Sequence, residues 1–310
     1  MVRSRRRRNR VKNSIGEGLK FGPSPELRDR MPKIYVALPR YRMMSEQEVQ
    51  HLKKVLDIED WVTQLPGFHP KIDISLARLI HAYPHSGITV LTGDGDLARI
   101  RSVNLAIWKD LWDKGKRYDY YLVLDDDIEF FPEGIQTLID DDKPVICGLY
   151  TFRSKKPEIA GIPTAKFFDG QFGKLDEPFK IRWSAGGFIL LKAEVLLHMI
   201  DHYKDMRYDL PEQMEGIIQS PKETWSVWDQ YLYTHDGATM RLSEDYAFCQ
   251  RLMDIGYDIW ADWRVKLYHW DGDTGYGLTP IEDVLNLPKE GEVKDYGIDE
   301  MYQKALGQQA

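Results

Sequence analysis

Short apolar runs alternate with amphipathic segments along the first half of the chain. Runs of β-forming residues predict buried strands at 33–39, at 88–92, from 120 to the aspartates at 125–127, and at 144–150, and Pro39 is expected to end the first of them. Helical patterns lie between these strands: 45–56 after a capping box, a segment near 74–82, a stripe of Ile100, Val103, Ile107 and Leu111, and a segment that begins at Pro132. This alternation is typical of a doubly wound α/β sheet.

The second half of the chain has a different pattern. Residues 151–183 show little periodicity, and a strand opened by glycines at 183–191 leads into a helix. Further strands are predicted at 257–262 and 265–272. We therefore expect a mixed, mainly parallel sheet flanked by helices in a single domain.

Residues 204–242 form a long polar and aromatic insertion, in which Trp225, Trp228, Tyr231 and Tyr233 stand out. Long irregular segments within a domain are commonly lids or binding loops. The tryptophans could stack on a sugar or a base, or they could pack the insertion against the body of the domain.

Charge is distributed unevenly. The chain has 310 residues and a net charge of −7, but residues 1–33 carry 11 Lys+Arg against 3 Asp+Glu. Such a basic tail on an acidic body is expected either to contact a polyanion, nucleic acid or anionic lipid, or to be a soluble tail without a partner. No apolar run is long enough for a transmembrane helix, and two cysteines form no disulfide framework, so a cytoplasmic location is expected.

The run at 120–131 contains three aspartates at its centre, Asp125, Asp126 and Asp127. Ligands bind beyond the carboxyl ends of strands in open α/β sheets. On an extended chain Asp125 and Asp127 would point the same way and Asp126 the other way. Paired carboxylates suit Mg²⁺ or Mn²⁺ shared with a substrate phosphate, whereas the alternative is a solvated acidic turn.

Arg101 and Asn104 lie near the start of the helix that follows the polar turn 93–96, with Arg99 close by. Arginines at a helix N-terminus could hold a nucleotide diphosphate. The alternative is a solvated helix whose arginines extend into water.

A second acidic pair, Glu244 and Asp245, opens a helix for which Ser243 is the expected N-cap. Acids in a first helical turn complement the helix dipole and need no chemical role. The functional alternative is that Asp245 is a general base. His269 follows at a predicted strand end, where a single histidine is commonly structural.

The order of Asp125-x-Asp127, Gly-Gly-Phe at 186–188, Ser-Glu-Asp-Tyr-x-Phe-Cys at 243–249 and His269 resembles the nucleotide-sugar glycosyltransferases of the GT-A fold. The similarity is to short family-2-like enzymes of bacteria and viruses and covers roughly residues 33–272. It implies that Asp127 binds a metal, usually Mn²⁺ or Mg²⁺, and that Asp125 binds metal or ribose. It further implies that His269 completes the metal site, that Asp245 is the base, and that Glu244 orients the acceptor or Asp245.

The donor pocket is expected at the ends of the first strands. Position in the chain suggests that Pro39, Tyr41 and Asp94 line the base and ribose pocket. The resemblance adds Arg101, Asp125, Asp126 and Gly187 to the nucleotide-sugar site. The asparagine that usually follows this arginine is Ser102 here.

The resemblance implies a metal-dependent transfer of sugar from a nucleotide-diphosphate sugar, with a UDP-sugar favoured, and with inversion at the anomeric carbon. The acceptor is expected to be either a saccharide or lipid-linked glycan, or a hydroxymethylated base of DNA as in viral enzymes. Two other classes remain open. One is a non-catalytic module that binds nucleotide sugars or glycans. The other is a haloacid-dehalogenase-type phosphatase, whose usual Thr or Val two residues after the second aspartate is Glu129 here.

The predicted organisation is a basic tail at 1–32, a catalytic domain at 33–275 and a C-terminal tail at 276–310. Within the domain, 33–150 is expected to bind the donor and 151–275 the acceptor.

Overall fold

The structure is a computed structural model. It describes residues 30–40, 70–92, 95–153, 163–168, 173–210, 221, 223–271 and 274–277. The predicted helix at 45–56, Tyr41, Asp94, most of the basic tail and the C-terminal tail after 277 lie outside these residues. The contacts of the basic tail with nucleic acid or lipid, and the domain boundaries, therefore stay predictions.

A seven-stranded sheet forms the centre of the fold, in the order β2-β1-β3-β9-β5-β14-β7. Its strands are β1 (Ile34–Arg40), β2 (Gly87–Thr92), β3 (Tyr120–Leu124), β5 (Val145–Gly148), β7 (Phe179–Ile181), β9 (Phe188–Lys192) and β14 (Ile259–Asp262). β1 is parallel to β2 and β3, and β14 is parallel to β5. β9 runs antiparallel between β3 and β5, and β7 is antiparallel to β14. The predicted mixed, mainly parallel sheet is confirmed.

Helices cover both faces of this sheet. They are α1 (Pro70–Ala82), α2 (Leu97–Asp113), α3 (Pro132–Asp140), α4 (Ala193–His202) and α5 (Glu244–Asp254), with a short 3₁₀ helix at Lys204–Met206. Apolar residues of α1 and α3 pack on one face, and those of α2, α4 and α5 pack on the other. Among the described residues, no helix is both long and apolar enough to cross a membrane.

Burial on both faces explains why β3 is apolar throughout. Tyr121 and Val123 face the cluster that contains α2, whereas Leu122 and Leu124 face the cluster that contains α1. All four are buried. Side chains alternate across a strand, so a strand covered on both sides needs apolar residues at every position.

Smaller sheets extend the core. They are β4 (Ile128–Glu129) with β15 (Tyr268–Asp271) and β16 (Thr274–Gly277), β6 (Ala165–Lys166) with β8 (Trp183–Ser184), β10 (Arg207–Asp209) with β11 (Glu223–Trp225), and the hairpin of β12 (Leu232–His235) and β13 (Ala238–Arg241). The pairing of β15 with β4 sets His269 opposite Ile128, next to the aspartates. The predicted insertion at 204–242 contains β10 to β13.

One prediction about a strand end is wrong. Pro39 does not end β1, which continues to Arg40. Pro39 pairs with Leu91 of β2, but the pairing of β1 with β3 has already ended at Ala37. Because Pro39 has a neighbouring strand on one side only, a residue without an N–H is tolerated there.

β3 ends at Leu124, directly before the aspartates, as predicted, and the chain turns at residues 125–127 and resumes as β4. The argument that an extended chain points Asp125 and Asp127 the same way therefore fails.

Candidate functional site

The candidate site lies at one edge of the central sheet. β1, β3, β5 and β14 run in the same direction, so their carboxyl ends share an edge, and antiparallel β9 starts at that edge. The turn at 125–127 follows β3, and Gly186 and Gly187 precede β9. The N–H of Asp125 donates to the Gly187 carbonyl at 3.1 Å, so a backbone contact joins the two segments.

Arg101 connects three elements of the site. It extends from the first turns of α2, and its side chain is 3% exposed. Its Nη2 donates to Asp125 Oδ1 at 2.8 Å, and its Nη1 donates to Glu244 Oε1 at 3.4 Å. Its guanidinium also lies 5.0 Å from the centre of the Trp228 ring. The alternative of a solvated helix is wrong for this residue, because its charge is enclosed between two carboxylates and an aromatic ring.

Electrostatic effects tie these groups together. Burial alone would lower the pKa of Arg101, but the charges of Asp125, Asp245 and Glu244 raise it above its usual value. Burial raises the pKa of Asp125, Arg101 opposes that rise, and Asp127 adds to it. Burial and the neighbouring Asp245 raise the pKa of Glu244, again against Arg101. Charge on any one of these carboxylates therefore affects the others.

Asp127 faces a different set of partners from Asp125. Its Oδ2 lies 3.3 Å from Nε2 of His269 and 2.7 Å from Nη1 of Arg153. The other ring nitrogen of His269, Nδ1, lies 2.7 Å from the Thr151 carbonyl oxygen. A carbonyl only accepts hydrogen bonds, so Nδ1 carries a proton, and Nε2 is the ring nitrogen that faces Asp127.

The carboxylate of Asp245 is held by three donors. Ser243 Oγ makes a short hydrogen bond to Oδ1, the N–H of Tyr246 donates to Oδ1 at 2.9 Å, and the N–H of Gly186 donates to Oδ2 at 3.2 Å. Ser243 takes the N-cap position of α5, but its side chain makes no capping hydrogen bond. The expected cap is therefore replaced by a contact that orients Asp245.

The two glycines before β9 are required by close packing. A Cβ at Gly186 would lie 2.5 Å from Nη1 of Arg101, and a Cβ at Gly187 would lie 2.4 Å from the Tyr150 hydroxyl oxygen. The N–H of Gly187 donates to that hydroxyl at 2.9 Å. Burial, together with nearby Asp125 and Asp245, raises the pKa of Tyr150 well above its usual value, so its phenol stays neutral.

Aromatic residues of the insertion pack towards the site. Trp228 is 1% exposed and stacks on Phe248 of α5, with the ring centres 3.7 Å apart. Its place in the core makes it a packing residue and excludes it as an exposed sugar platform. Tyr233 of β12 contacts Trp183 edge to face at 5.8 Å, and Trp183 stacks on Tyr246 at 5.3 Å. The hairpin β12–β13 is thereby linked to the neighbour of Asp245.

The fold brings most of the predicted residues to this edge. Those with contacts given above are Arg101, Asp125, Asp127, Gly187, Glu244, Asp245 and His269. Asp126 is half-buried in the same turn, and Pro39 is buried near the end of β1. Tyr41 and Asp94 lie outside the described residues. In the described part of the chain, no three His, Cys, Asp or Glu side chains form a group that could by itself hold a metal ion.

Sequence reasoning missed Tyr150, Arg153 and Gly186. Tyr150 and Arg153 follow β5, so the rule that sites collect at strand ends could have identified them. Gly186 lies within a motif that was recognised, but the need for glycine there depends on Arg101, which is distant in sequence.

A cavity of about 430 Å³ lies away from these carboxylates. It is bounded by α2, α4 and the β10–β11 pair, with Lys109, Ile200 and Trp225 among its walls. None of the site residues described above contributes to it.

The sequence matches no protein-family profile and no curated protein. Among solved structures, A197 from STIV is similar at 14% identity, with 86% of this chain and 100% of that chain covered and a TM-score of 0.41. S. aureus TarS 1-349 is similar at 15% identity, with 82% and 62% covered and a TM-score of 0.34. GalNAc-T7, solved with UDP, GalNAc and Mn²⁺, is similar at 10% identity, with 79% and 45% covered and a TM-score of 0.39.

Proposed function

We propose that this protein is a metal-dependent glycosyltransferase that transfers a sugar from a nucleotide-diphosphate sugar, with a UDP-sugar favoured, to an acceptor hydroxyl. The observation that carries the proposal is the convergence of three motifs that are far apart in sequence. Asp125 and Glu244 share the guanidinium of Arg101, and Asp127 faces His269 across 142 positions of the chain. These are the segments that the resemblance to GT-A enzymes joins in one site.

A divalent metal fits between Asp127 and His269. The Thr151 carbonyl accepts the hydrogen bond of Nδ1, which leaves Nε2 as the ring nitrogen 3.3 Å from carboxylate Oδ2. With Nε2 unprotonated, this nitrogen and Oδ2 would be the two protein ligands of the metal. Two adjacent ligands of an octahedral Mg²⁺ at 2.0–2.1 Å are separated by about 3 Å, close to this distance. A backbone carbonyl that holds the remote nitrogen is also the usual support of a metal-binding histidine.

The metal would be shared with the donor, because two protein side chains leave several coordination positions for diphosphate oxygens and water. When bound, it would supply Lewis-acid stabilisation of the charge on the departing diphosphate. A nitrogen ligand favours Mn²⁺ over Mg²⁺. Asp125 already accepts from Arg101, so we assign it first to positioning and to ribose binding, and only second to the metal.

Asp245 is the proposed base. An ionised carboxylate has about four lone-pair positions, and three donors occupy three of them. Among the described partners, Oδ2 accepts only from Gly186, so Oδ2 is the oxygen available to an acceptor hydroxyl. Asp245 would take the hydroxyl proton as the acceptor oxygen bonds to the anomeric carbon. The bond from that carbon to the diphosphate oxygen breaks, its electron pair leaves with the nucleotide, and configuration inverts.

The hairpin β12–β13 is proposed to form part of the acceptor side. Its Tyr233 reaches the site through Trp183 and Tyr246, the residue after the base. Met240 pairs with Tyr233 across the hairpin, so both lie on the same face, and Met240 is exposed. An apolar and aromatic face suits the carbon face of a sugar, so a saccharide acceptor is favoured over DNA.

The first test is thermal unfolding with UDP, GDP, CDP and TDP, each with Mn²⁺ or with EDTA. A ligand that binds only the native state raises the melting temperature by mass action. We expect one nucleotide to raise it, only with Mn²⁺, and Asp127→Ala to abolish the shift. Asp113→Ala is the matched control, since Asp113 pairs with Lys109 at the far end of α2. No shift with any nucleotide would contradict the proposal.

The second test separates an enzyme from a binding module. Asp245→Asn keeps the size of the side chain and removes its capacity to accept a proton as a base. We expect turnover to fall by at least about 100-fold, the lower range of general-base contributions. The nucleotide-induced thermal shift should remain. A variant with normal turnover would show that Asp245 is not the base.

A further inference from the structure

Arg153 occupies the same carboxylate oxygen that the proposed metal would use. It follows β5 at the site edge, and its Nη1 lies 2.7 Å from Asp127 Oδ2. His269 Nε2 approaches that same oxygen at 3.3 Å. One oxygen atom thus faces both the proposed metal ligand and a permanent cation.

A guanidinium and a divalent ion cannot both bind this oxygen at no cost. Like charges a few ångströms apart repel each other, more strongly near a protein surface than in bulk water. Because arginine stays protonated at any working pH, loss of its proton cannot relieve this repulsion. The side chain must move for the metal to bind.

The two arginines of the site differ in their freedom to move. The side chain of Arg101 is 3% exposed and enclosed by two carboxylates and a ring, whereas that of Arg153 is 47% exposed. Displacing Arg101 would leave buried carboxylates without a cation, which is costly. Displacing Arg153 exchanges one largely hydrated ion pair for water, which costs little.

We propose that Arg153 is a competitor for the metal at Asp127 and a ligand of the donor diphosphate after metal binding. In the metal-free protein its guanidinium neutralises Asp127. When Mn²⁺ occupies the Asp127–His269 position, the guanidinium turns to the diphosphate, whose oxygens match its planar donors. This inference rests on the metal site of the proposed function.

The test measures Mn²⁺ affinity of the full chain without nucleotide, from the electron paramagnetic resonance signal of free Mn²⁺. The variants are Arg153→Gln and the control Arg207→Gln. Arg207 is 55% exposed and pairs with Glu223 at 2.8 Å, so the control loses the same charge from a similar ion pair. Arg153→Gln removes the ion pair that competes with Mn²⁺ for Asp127, so it should tighten Mn²⁺ binding by about two- to five-fold. The control should bind as the wild type does.

A second readout uses UDP at saturating Mn²⁺. Titration calorimetry should show weaker UDP binding to Arg153→Gln, by about ten-fold or more, because a charge-assisted contact to phosphate is lost. Arg153→Gln should thus bind the metal more tightly and the nucleotide more weakly. A general loss of structure would weaken both, so it could not produce this result.

The failures of the two proposals can be told apart. If wild type and Arg153→Gln bind Mn²⁺ equally, or if the variant binds it more weakly, the competition is refuted and the metal site stands. If neither binds Mn²⁺ while UDP still stabilises the protein, both the metal site and the competition are refuted. Unchanged UDP affinity at saturating Mn²⁺ would overturn the diphosphate role of Arg153.

Discussion

Replacing Arg101 by methionine tests how the site is held together. The change keeps an unbranched apolar side chain but removes the cation between Asp125 and Glu244, which lie 2.8 and 3.4 Å from its nitrogens. Removing one partner of a buried ion pair costs about 3–5 kcal/mol, because the other charge is left without compensation. The carboxylates keep 26% and 17% of their side-chain surface in contact with solvent. We therefore expect Arg101→Met to lower the free energy of unfolding by about 3 kcal/mol, the lower limit of that range, as measured by urea unfolding at neutral pH.

The pH dependence of that loss distinguishes electrostatics from packing. Burial raises the pKa of Asp125 and of Glu244, and Arg101 opposes the rise in both. Without Arg101 their folded-state pKa values rise further above the unfolded ones, so the folded variant binds protons more readily than the unfolded chain. Its stability should therefore fall as pH rises through the folded pKa values. Relative to wild type, Arg101→Met should recover stability as the pH falls below neutrality through these raised pKa values.

Arg251→Met is the matched control. Arg251 is also buried, but its Nη1 donates to the backbone carbonyls of Val227 and Asp229 at 2.8 and 2.7 Å. Carbonyls do not titrate, but Arg251 also opposes the burial-raised pKa of Asp229, with which it makes no side-chain ion pair among the described contacts. This variant should therefore recover less stability at low pH than Arg101→Met, which leaves two such carboxylates without their cation. A loss below about 1 kcal/mol in Arg101→Met, or equal pH dependence in the two variants, would refute a structural role for the cation.

Two further predictions concern stability. Gly187→Ala should lower the free energy of unfolding by about 1–3 kcal/mol, because the new Cβ would lie 2.4 Å from the Tyr150 hydroxyl oxygen. Adding Tyr150→Phe removes that oxygen and should restore part of the lost stability, as measured by urea unfolding. Burial and a hydrogen bond with Asp262 raise the pKa of Asp141 to about 6, above its unfolded value, so its contribution to stability is lost as pH rises through about 6. Asp141→Asn should therefore raise the melting temperature relative to wild type at about pH 8 and have less effect at about pH 5. An equal effect at both pH values would contradict the raised pKa of Asp141.

The strands and helices near the site could be predicted because their signals are local. The apolar run of β3, Pro132 at the start of α3, and the helix closed by Gly256 are each set by neighbours in sequence. The turn at 125–127 could not be predicted in the same way. Its shape depends on the Gly187 carbonyl, which directly precedes β9, a strand that the sequence alone does not pair with β3.

The burial of Arg101 is a second case in which local pattern was insufficient. An arginine on an amphipathic helix is usually placed towards water. Here Glu244, 143 positions later, and the Trp228 ring enclose it, and neither is visible in the pattern around residue 101. Trp228 itself lies in an irregular insertion, so no periodicity marks it as a core residue.

The two aspartates that the sequence treats as a pair have different partners in the structure, and this division has a physical reason. Asp125 faces Arg101, a cation that cannot move without exposing unpaired buried charge. Asp127 faces an imidazole nitrogen and a half-exposed arginine, and the arginine can change its partner at little cost. A fixed cation at one carboxylate keeps the strand ends and α5 in place, whether or not ligand is bound. Under the proposed function, an exchangeable cation at the other carboxylate would allow metal and diphosphate to enter together. The site would then be rigid around Asp245 and adaptable around Asp127.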